Sequence, residues 1–220
     1  KDLTKKVIVG SSETMSKSKK NTIDPEEIIE NYGADSVRLF MLSDSPPEKD
    51  VQWSEQGMVA CYKFIQKLWT LHEKIKIKLK KKEKSQKNLN EISKFTNQLI
   101  ERTNNNLERF NYNVIIASIY ETYNFLNQKI NDPINSDSLS ENYKKILSII
   151  FPIIPHFASE CLEDLKVDHK VKWPKVDKQF LVSKDTNIVI QINGKKRSII
   201  NCKKGTTEGN IMKIIKDDTK

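Results

Sequence analysis

Apolar residues recur at three- and four-residue steps over most of this chain, and that spacing predicts helices. From Ser54 onward, Met58, Cys61, Tyr62, Ile65, Leu68, Trp69 and His72 share one stripe. They predict a long amphipathic helix that runs into a lysine-rich segment and ends before Asn88. A second helix is expected over about 89–107, with Leu89, Ile92, Phe95, Leu99 and Ile100 on one face. A third covers about 112–130 through Tyr112, Ile115, Ile119, Tyr123 and Leu126. NDPINSDSLS (131–140) reads as a loop, and a fourth helix follows from Ser140 to Leu165. It carries Pro152 and Pro155, which predict a kink or break. Four helices with short connections point to an antiparallel bundle.

The flanking segments follow other patterns. KKVIVG (Lys5–Gly10) is β-rich and reads as a strand or hairpin arm. Asp24 is placed to cap a helix that has Pro25 at its first position, Glu26 and Glu27 in its first turn and Gly33 as its stop. ADSVRLFMLS (Ala34–Ser43) predicts a second short helix packed through Val37, Phe40 and Met41, which SDSPPEKD then breaks. After about residue 170 the period shortens. IVIQINGKKRSIINC places apolar runs on either side of Asn193-Gly194, a strong two-residue hairpin signal, and TTEGNIMKIIK reads as a closing helix. The expected fold is mainly α, with a small ββα piece at the end that has a thin core. The expected divisions are 1–53, 54–170 for the bundle and 171–220 for the α+β piece.

Composition narrows the class. The chain has 220 residues, 37% hydrophobic and 30% charged, enough for one or two well-solvated domains. It has no apolar run of the length that spans a bilayer and no signal-peptide core. Cys61, Cys161 and Cys202 lie far apart, and with three histidines they form neither a disulfide framework nor a metal cluster. The chain reads as cytoplasmic and reduced. Its net charge of +9 is uneven, because residues 74–87 hold eight lysines and one glutamate, which is +7. Lys80, Lys81 and Lys82 are the centre of that run. Only four of 38 basic residues are arginine, so base readout is not indicated. A nucleic-acid contact and a solvated helix end both remain open for the lysines.

The chemistry-bearing stretch is ETMSKSKKNTIDPEE (Glu13–Glu27). Lys17, Lys19 and Lys20 are flexible cations flanked by Ser16 and Ser18, small residues that let backbone N–H groups approach a polyanion. Such a loop is able to hold a triphosphate or stabilise departing pyrophosphate. A solvated basic loop, or a phosphorylation site, is the plainer reading of the same residues.

Context decides between them. TMSKS (Thr14–Ser18) resembles the KMSKS signature of class I aminoacyl-tRNA synthetases, with Thr14 in place of the first lysine. DP…I…YGAD…R is similar to the leucine, valine, isoleucine and methionine members. SPPEKDVQWSEQG followed by F…KLW resembles the leucyl branch in its bacterial form. FNYNVIIASIYE, FPIIPHFASECLEDL and WPKVD are similar to the helical anticodon-binding domain of that family, and IVIQINGKKR to the start of its C-terminal domain.

The resemblance implies activation of leucine by ATP, with Mg2+, and transfer to tRNA(Leu). It implies that Lys17 binds ATP and stabilises the leaving pyrophosphate, that Ser16, Ser18 and Met15 shape the ATP-binding loop, and that the enzyme is a monomer. No HIGH-type motif, nucleotide-fold sheet or editing domain is found in the sequence. The chain is therefore expected to be a C-terminal fragment, cut at both ends and inactive alone. A free-standing RNA-binding helical module and a valyl or isoleucyl enzyme are the alternatives. Lys195, Lys196 and Arg197, after the hairpin turn, lean toward tRNA contact. Trp53 and Trp69 read as core packing, His156 as a structural hydrogen bond, and Arg38 as the partner of a carboxylate such as Asp35 or Glu30.

Overall fold

The computed structural model describes residues 10–43, 46, 48–85, 89–167, 172–181, 185–203 and 205–217. The expected strand KKVIVG lies almost wholly outside the described residues. The chain forms two units, Lys1–Lys175 and Val176–Lys220.

In the first unit, α1 (Pro25–Tyr32) begins where Asp24 accepts a hydrogen bond from the Glu26 N–H, with Pro25 next. It ends at Gly33, whose φ of 78° is the left-handed region that a side chain would resist. One residue later α2 (Ala34–Ser43) starts. Leu39 and Phe40 are its buried apolar residues, whereas Met41, expected in the core, is 48% exposed. The difference arises because α2 is packed against α3, α5 and α7 at once, and those neighbours choose its buried face.

The long helix α3 (Glu55–Lys80) is capped by the Ser54 side chain, which accepts from the Gly57 N–H. Gly57 sits against the Phe40 ring, and an added Cβ would stand 2.8 Å from Phe40 Cε2. Its lack of a side chain is what lets α2 and α3 approach. Lys82, with φ of 50°, turns the chain out of α3. Then come α4 (Leu89–Leu107), α5 (Tyr112–Lys129), α6 (Ser136–Ile150) and α7 (Pro155–Asp164), completing an antiparallel bundle. Phe95 of α4 stacks flat on Phe125 of α5, with ring centroids 4.0 Å apart.

Two boundaries differ from expectation. Helix α6 begins four residues before Ser140, because Asn135 caps it by accepting from Ser138 N–H and Asp137 favours its positive end. The expected kink is a full break: α6 stops at Ile150 and Pro155 opens a separate helix.

In the second unit, a 3-10 turn (Lys178–Phe180) precedes β1 (Asp185–Ile192) and β2 (Lys195–Lys203), paired antiparallel about Asn193-Gly194. Both turn residues have positive φ, 52° and 73°, as a primed hairpin turn requires. Ile190 faces Ser198 and Gln191 faces Lys196, so Arg197 is a bulge residue. Ile200 and Cys202 are buried while Ile199 is exposed, the alternation of a strand. The last helix is α8 (Glu208–Asp217). Among the described residues, no helix is long and apolar enough to cross a membrane.

Candidate functional site

The serine- and lysine-rich stretch folds as a tight turn on the surface. Lys19 N–H donates to Ser16 O at 3.1 Å and Lys20 N–H to Lys17 O at 3.2 Å. Lys20 takes a left-handed φ of 52° to close it. Asn21 ties its base, accepting from Ser16 N–H at 2.8 Å and donating to Thr14 O at 3.4 Å. Ser16 and Ser18 hydroxyls lie 3.1 Å apart. Thus Ser16, Lys19 and Lys20 spend their N–H groups inside the turn, and those of Lys17 and Ser18 stay outside its hydrogen bonds. Lys19 pairs with Glu13 at 3.0 Å, whereas Lys17 and Lys20 make no ion pair among the described residues. Lys17 and the backbone beside it are therefore the part of the turn free to meet an anion. Thr14 and Met15 are exposed on the approach.

Helix α2 fastens this segment to the bundle. Asp35, 6% exposed, accepts from Phe157 N–H at 2.7 Å, His156 N–H at 3.3 Å and His156 Nδ1 at 3.0 Å. Ile154, the residue before α7, supplies no side-chain cap, so Asp35 caps α7 from another helix. Arg38 donates through Nε to Ile153 O at 2.9 Å and through Nη2 to Pro152 O at 2.8 Å. The expected Arg38 pair with Asp35 or Glu30 is not made. The two residues, three apart on one face, serve opposite sides of the α6–α7 break. Acid meets N–H groups and base meets carbonyls, which is why a complete break is stable there.

The other singled-out residues are spread apart. Lys80, Lys81 and Lys82 are exposed at the far end of α3. Lys195, Lys196 and Arg197 are exposed beside the hairpin turn, in the second unit. Trp53 makes an edge contact with Phe40 at 5.3 Å. Trp69 is 38% exposed, more than core packing implies, with its edge toward Phe157. His156 makes the expected structural hydrogen bond.

A buried polar chain went unread in the sequence. His72, expected as one more member of the α3 stripe, is fully buried, with Nδ1 3.0 Å from Tyr143 Oη and Nε2 3.1 Å from Asp164 Oδ2. Lys76 reaches the same Asp164 oxygen at 2.6 Å and Glu73 at 3.0 Å. The only sequence hint is His72, Glu73 and Lys76 within one turn of helix. His72, Glu73 and Asp164 lie close enough to share a metal ion, but the Lys76 ammonium already bridges the two carboxylates. Burial pushes Cys161 up to about 12 and raises Tyr143 well above the usual phenol value, so both stay protonated.

Burial also lowers the His72 pKa, although Asp164 pulls it back in part. The unfolded chain then binds more protons here than the folded one. Stability from this site is present above the ordinary histidine value of about 6.5 and is lost as pH falls below it. The urea midpoint is expected to drop between about pH 7 and pH 5. His72→Asn is expected to flatten that part of the profile, and a wild-type midpoint constant over the range would remove His72 from this role.

Comparison with known proteins gives a consistent set of matches. The family model described as the anticodon-binding domain of tRNA ligase matches residues 90–212. The model described as tRNA synthetases class I (I, L, M and V) matches residues 4–54, which include the turn. The chain is 33% identical over 220 residues to leucine–tRNA ligase of Mesorhizobium japonicum, covering 94% of this chain and 25% of that one. It is 38% identical over 215 residues to leucine–tRNA ligase of Afipia carboxidovorans, covering 87% and 23%. It thus spans about a quarter of the length of the curated relatives it matches. A solved LeuRS, in a ternary LeuRS–tRNA–LeuAMS complex from Agrobacterium radiobacter K84, superposes with a TM-score of 0.76 at 21% identity, covering 91% of this chain and 27% of that one. At that identity the likeness is one of fold.

Proposed function

The chain belongs to the family of anticodon-binding domains of tRNA ligases, and from that footing we propose that it is the part of a leucine–tRNA ligase that carries the signature turn and the tRNA-binding regions. In this reading leucine attacks the α-phosphate of ATP, pyrophosphate leaves, and the leucyl group passes to the terminal adenosine of tRNA(Leu). The observation that carries it is the turn itself, in which the Lys17 ammonium, like that of Lys20, makes no ion pair among the described residues and the Lys17 and Ser18 N–H groups stay outside the turn's hydrogen bonds. A cation that meets charge as it develops on the leaving group lowers the barrier more than it tightens ground-state binding. Ser16 and Ser18 hold the turn in shape, and Met15 lies beside them. Magnesium would enter with the nucleotide, since the one carboxylate in the turn, Glu13, is engaged by Lys19.

Residues 1–53 are assigned to the catalytic side, 54–170 to the bundle, and 171–220 to the C-terminal tRNA-binding part. Lys80, Lys81, Lys82, Lys195, Lys196 and Arg197 are assigned to the tRNA backbone, as phosphate contacts rather than base readers. The enzyme would work as a cytoplasmic monomer. The leucine–tRNA ligase relatives favour this over a valyl or isoleucyl enzyme or a free-standing RNA module. The test is amino-acid-dependent ATP–pyrophosphate exchange. The full-length gene product is expected to catalyse exchange with leucine and far more weakly with valine or isoleucine. The 220 residues alone are expected to show none, because the sequence carries no HIGH-type partner for the turn. Exchange by the isolated chain, or preference for another amino acid, overturns the assignment.

A further inference from the structure

A groove of about 730 Å3 lies between α2, α3 and α7. Tyr32, Tyr62, Gln66, Trp69 and His156 line it together with the exposed Glu160, and no lysine or arginine does. It therefore offers nothing to a phosphate. Its most developed feature is His156, whose side chain is 75% exposed and whose Nδ1 is held by the buried Asp35. A carboxylate only accepts, so Nδ1 carries a proton, and in the tautomer this sets Nε2 is the acceptor. Trp69 stands part-exposed along the same wall, and Tyr32 meets Tyr62 edge to face at 5.8 Å. The groove thus combines aromatic surface with one oriented acceptor.

The same helix face continues into positive charge. Positions 66, 70, 74, 77 and 81 step by three and four along α3. Gln66 and Thr70 belong to the groove, while Lys74, Ile77 and Lys81 line a second hollow of about 170 Å3 with Lys78. The strip covers roughly 22 Å of helix. Phosphates are attracted by lysines, whereas unstacked bases and ribose hydroxyls of RNA are taken by aromatic faces and neutral acceptors. The groove between α3 and α7 meets the second requirement, and the lysines farther along α3 meet the first.

We propose that the His156–Trp69 groove takes up a ribonucleoside of the bound tRNA, with His156 Nε2 accepting from a ribose hydroxyl and Trp69 packing on the sugar or base. This rests on the tRNA-binding reading above and adds a site to it. Phosphates that follow that nucleoside in one direction along the strand are drawn to Lys74 and Lys81.

The test titrates the 220-residue chain with a tRNA(Leu) transcript over a range of salt concentrations, with DNA of the same sequence as a second probe. His156→Ala is expected to weaken tRNA binding about fivefold with the salt slope unchanged, and to lose the preference for RNA over DNA. His156→Gln, which keeps an acceptor, is expected to recover part of both. The Lys74→Ala, Lys81→Ala double variant is expected to lower the salt slope by about two. Because His156→Ala also removes a donor to Asp35, its urea midpoint is expected to fall, and titrations kept well below that midpoint, where the variant is still folded, check that the loss of binding is not one of folding. Wild-type affinity in His156→Ala overturns the groove alone, and is also the result expected if a protein segment fills it. Failure of the wild-type chain to bind tRNA overturns the tRNA reading and the groove together.

Discussion

Asp35→Ala is expected to lower the unfolding free energy of the chain by about 3 kcal/mol, read as a fall in the urea midpoint at unchanged slope. The carboxylate is 6% exposed and accepts from two backbone N–H groups and one imidazole. Hydrogen bonds to a charged group contribute about 1.5–3 kcal/mol each, and removing the acceptor strands buried donors. Phe157 N–H, at 2.7 Å, has no water to turn to, because Phe157 is 6% exposed. Asp35→Asn keeps an acceptor for Phe157 but turns an amide toward a second donor, so its loss should be about half as large. Arg38→Ala should cost about 1–2 kcal/mol, since the Pro152 and Ile153 carbonyls lie nearer to solvent. The two serve one helix break, so the double variant should lose less than the sum. A midpoint shift under about 0.5 kcal/mol for Asp35→Ala, the range of an ordinary surface change, would mean that α7 is capped by something else.

Reading the sequence succeeds where the determining contacts are local. Asp24, Pro25 and Gly33 set the limits of α1 within ten residues of chain, and Asn193-Gly194 sets the hairpin in two. The stripe from Met58 to His72 gives α3 its register, because burial on a helix has a fixed period. What the sequence hides comes from residues far apart. The two prolines predict a disturbance, but its completeness depends on Asp35 and Arg38, more than a hundred positions away. His72 fits an apolar stripe as well as any leucine, and its partners Tyr143 and Asp164 sit on other helices. Met41 and Leu39 are equally apolar, and only the surrounding helices choose between them. In the turn, the motif marks the residues with chemistry, while the device that shapes it is Asn21, outside the motif. Composition treats the three lysines of the stretch alike, whereas the pairing of Lys19 with Glu13 sets Lys19 apart from Lys17 and Lys20.

Lys17→Ala in the full-length enzyme is expected to slow leucine-dependent ATP–pyrophosphate exchange about 10²- to 10³-fold, a loss of roughly 3–4 kcal/mol of transition-state stabilisation. The KM for leucine should hardly move, since the ammonium has no part in holding the amino acid. The size follows from position. An exposed ammonium is worth little in water, yet one that closes on departing pyrophosphate acts where solvent has been displaced. Lys19→Ala is the natural control. Its ammonium is half-exposed and already spent on Glu13, so a change of less than about threefold is expected, in line with an exposed pair worth under 1 kcal/mol. Asn21→Ala separates shape from charge. It removes both ties at the base of the turn while leaving every lysine in place. If the turn must be preorganised, Asn21→Ala should lower kcat while Lys17 remains essential. If it is shaped only as ATP binds, Asn21→Ala should instead raise the KM for ATP. Equal effects of Lys17→Ala and Lys19→Ala would show that the turn acts through its net charge, and would take from Lys17 the role proposed for it.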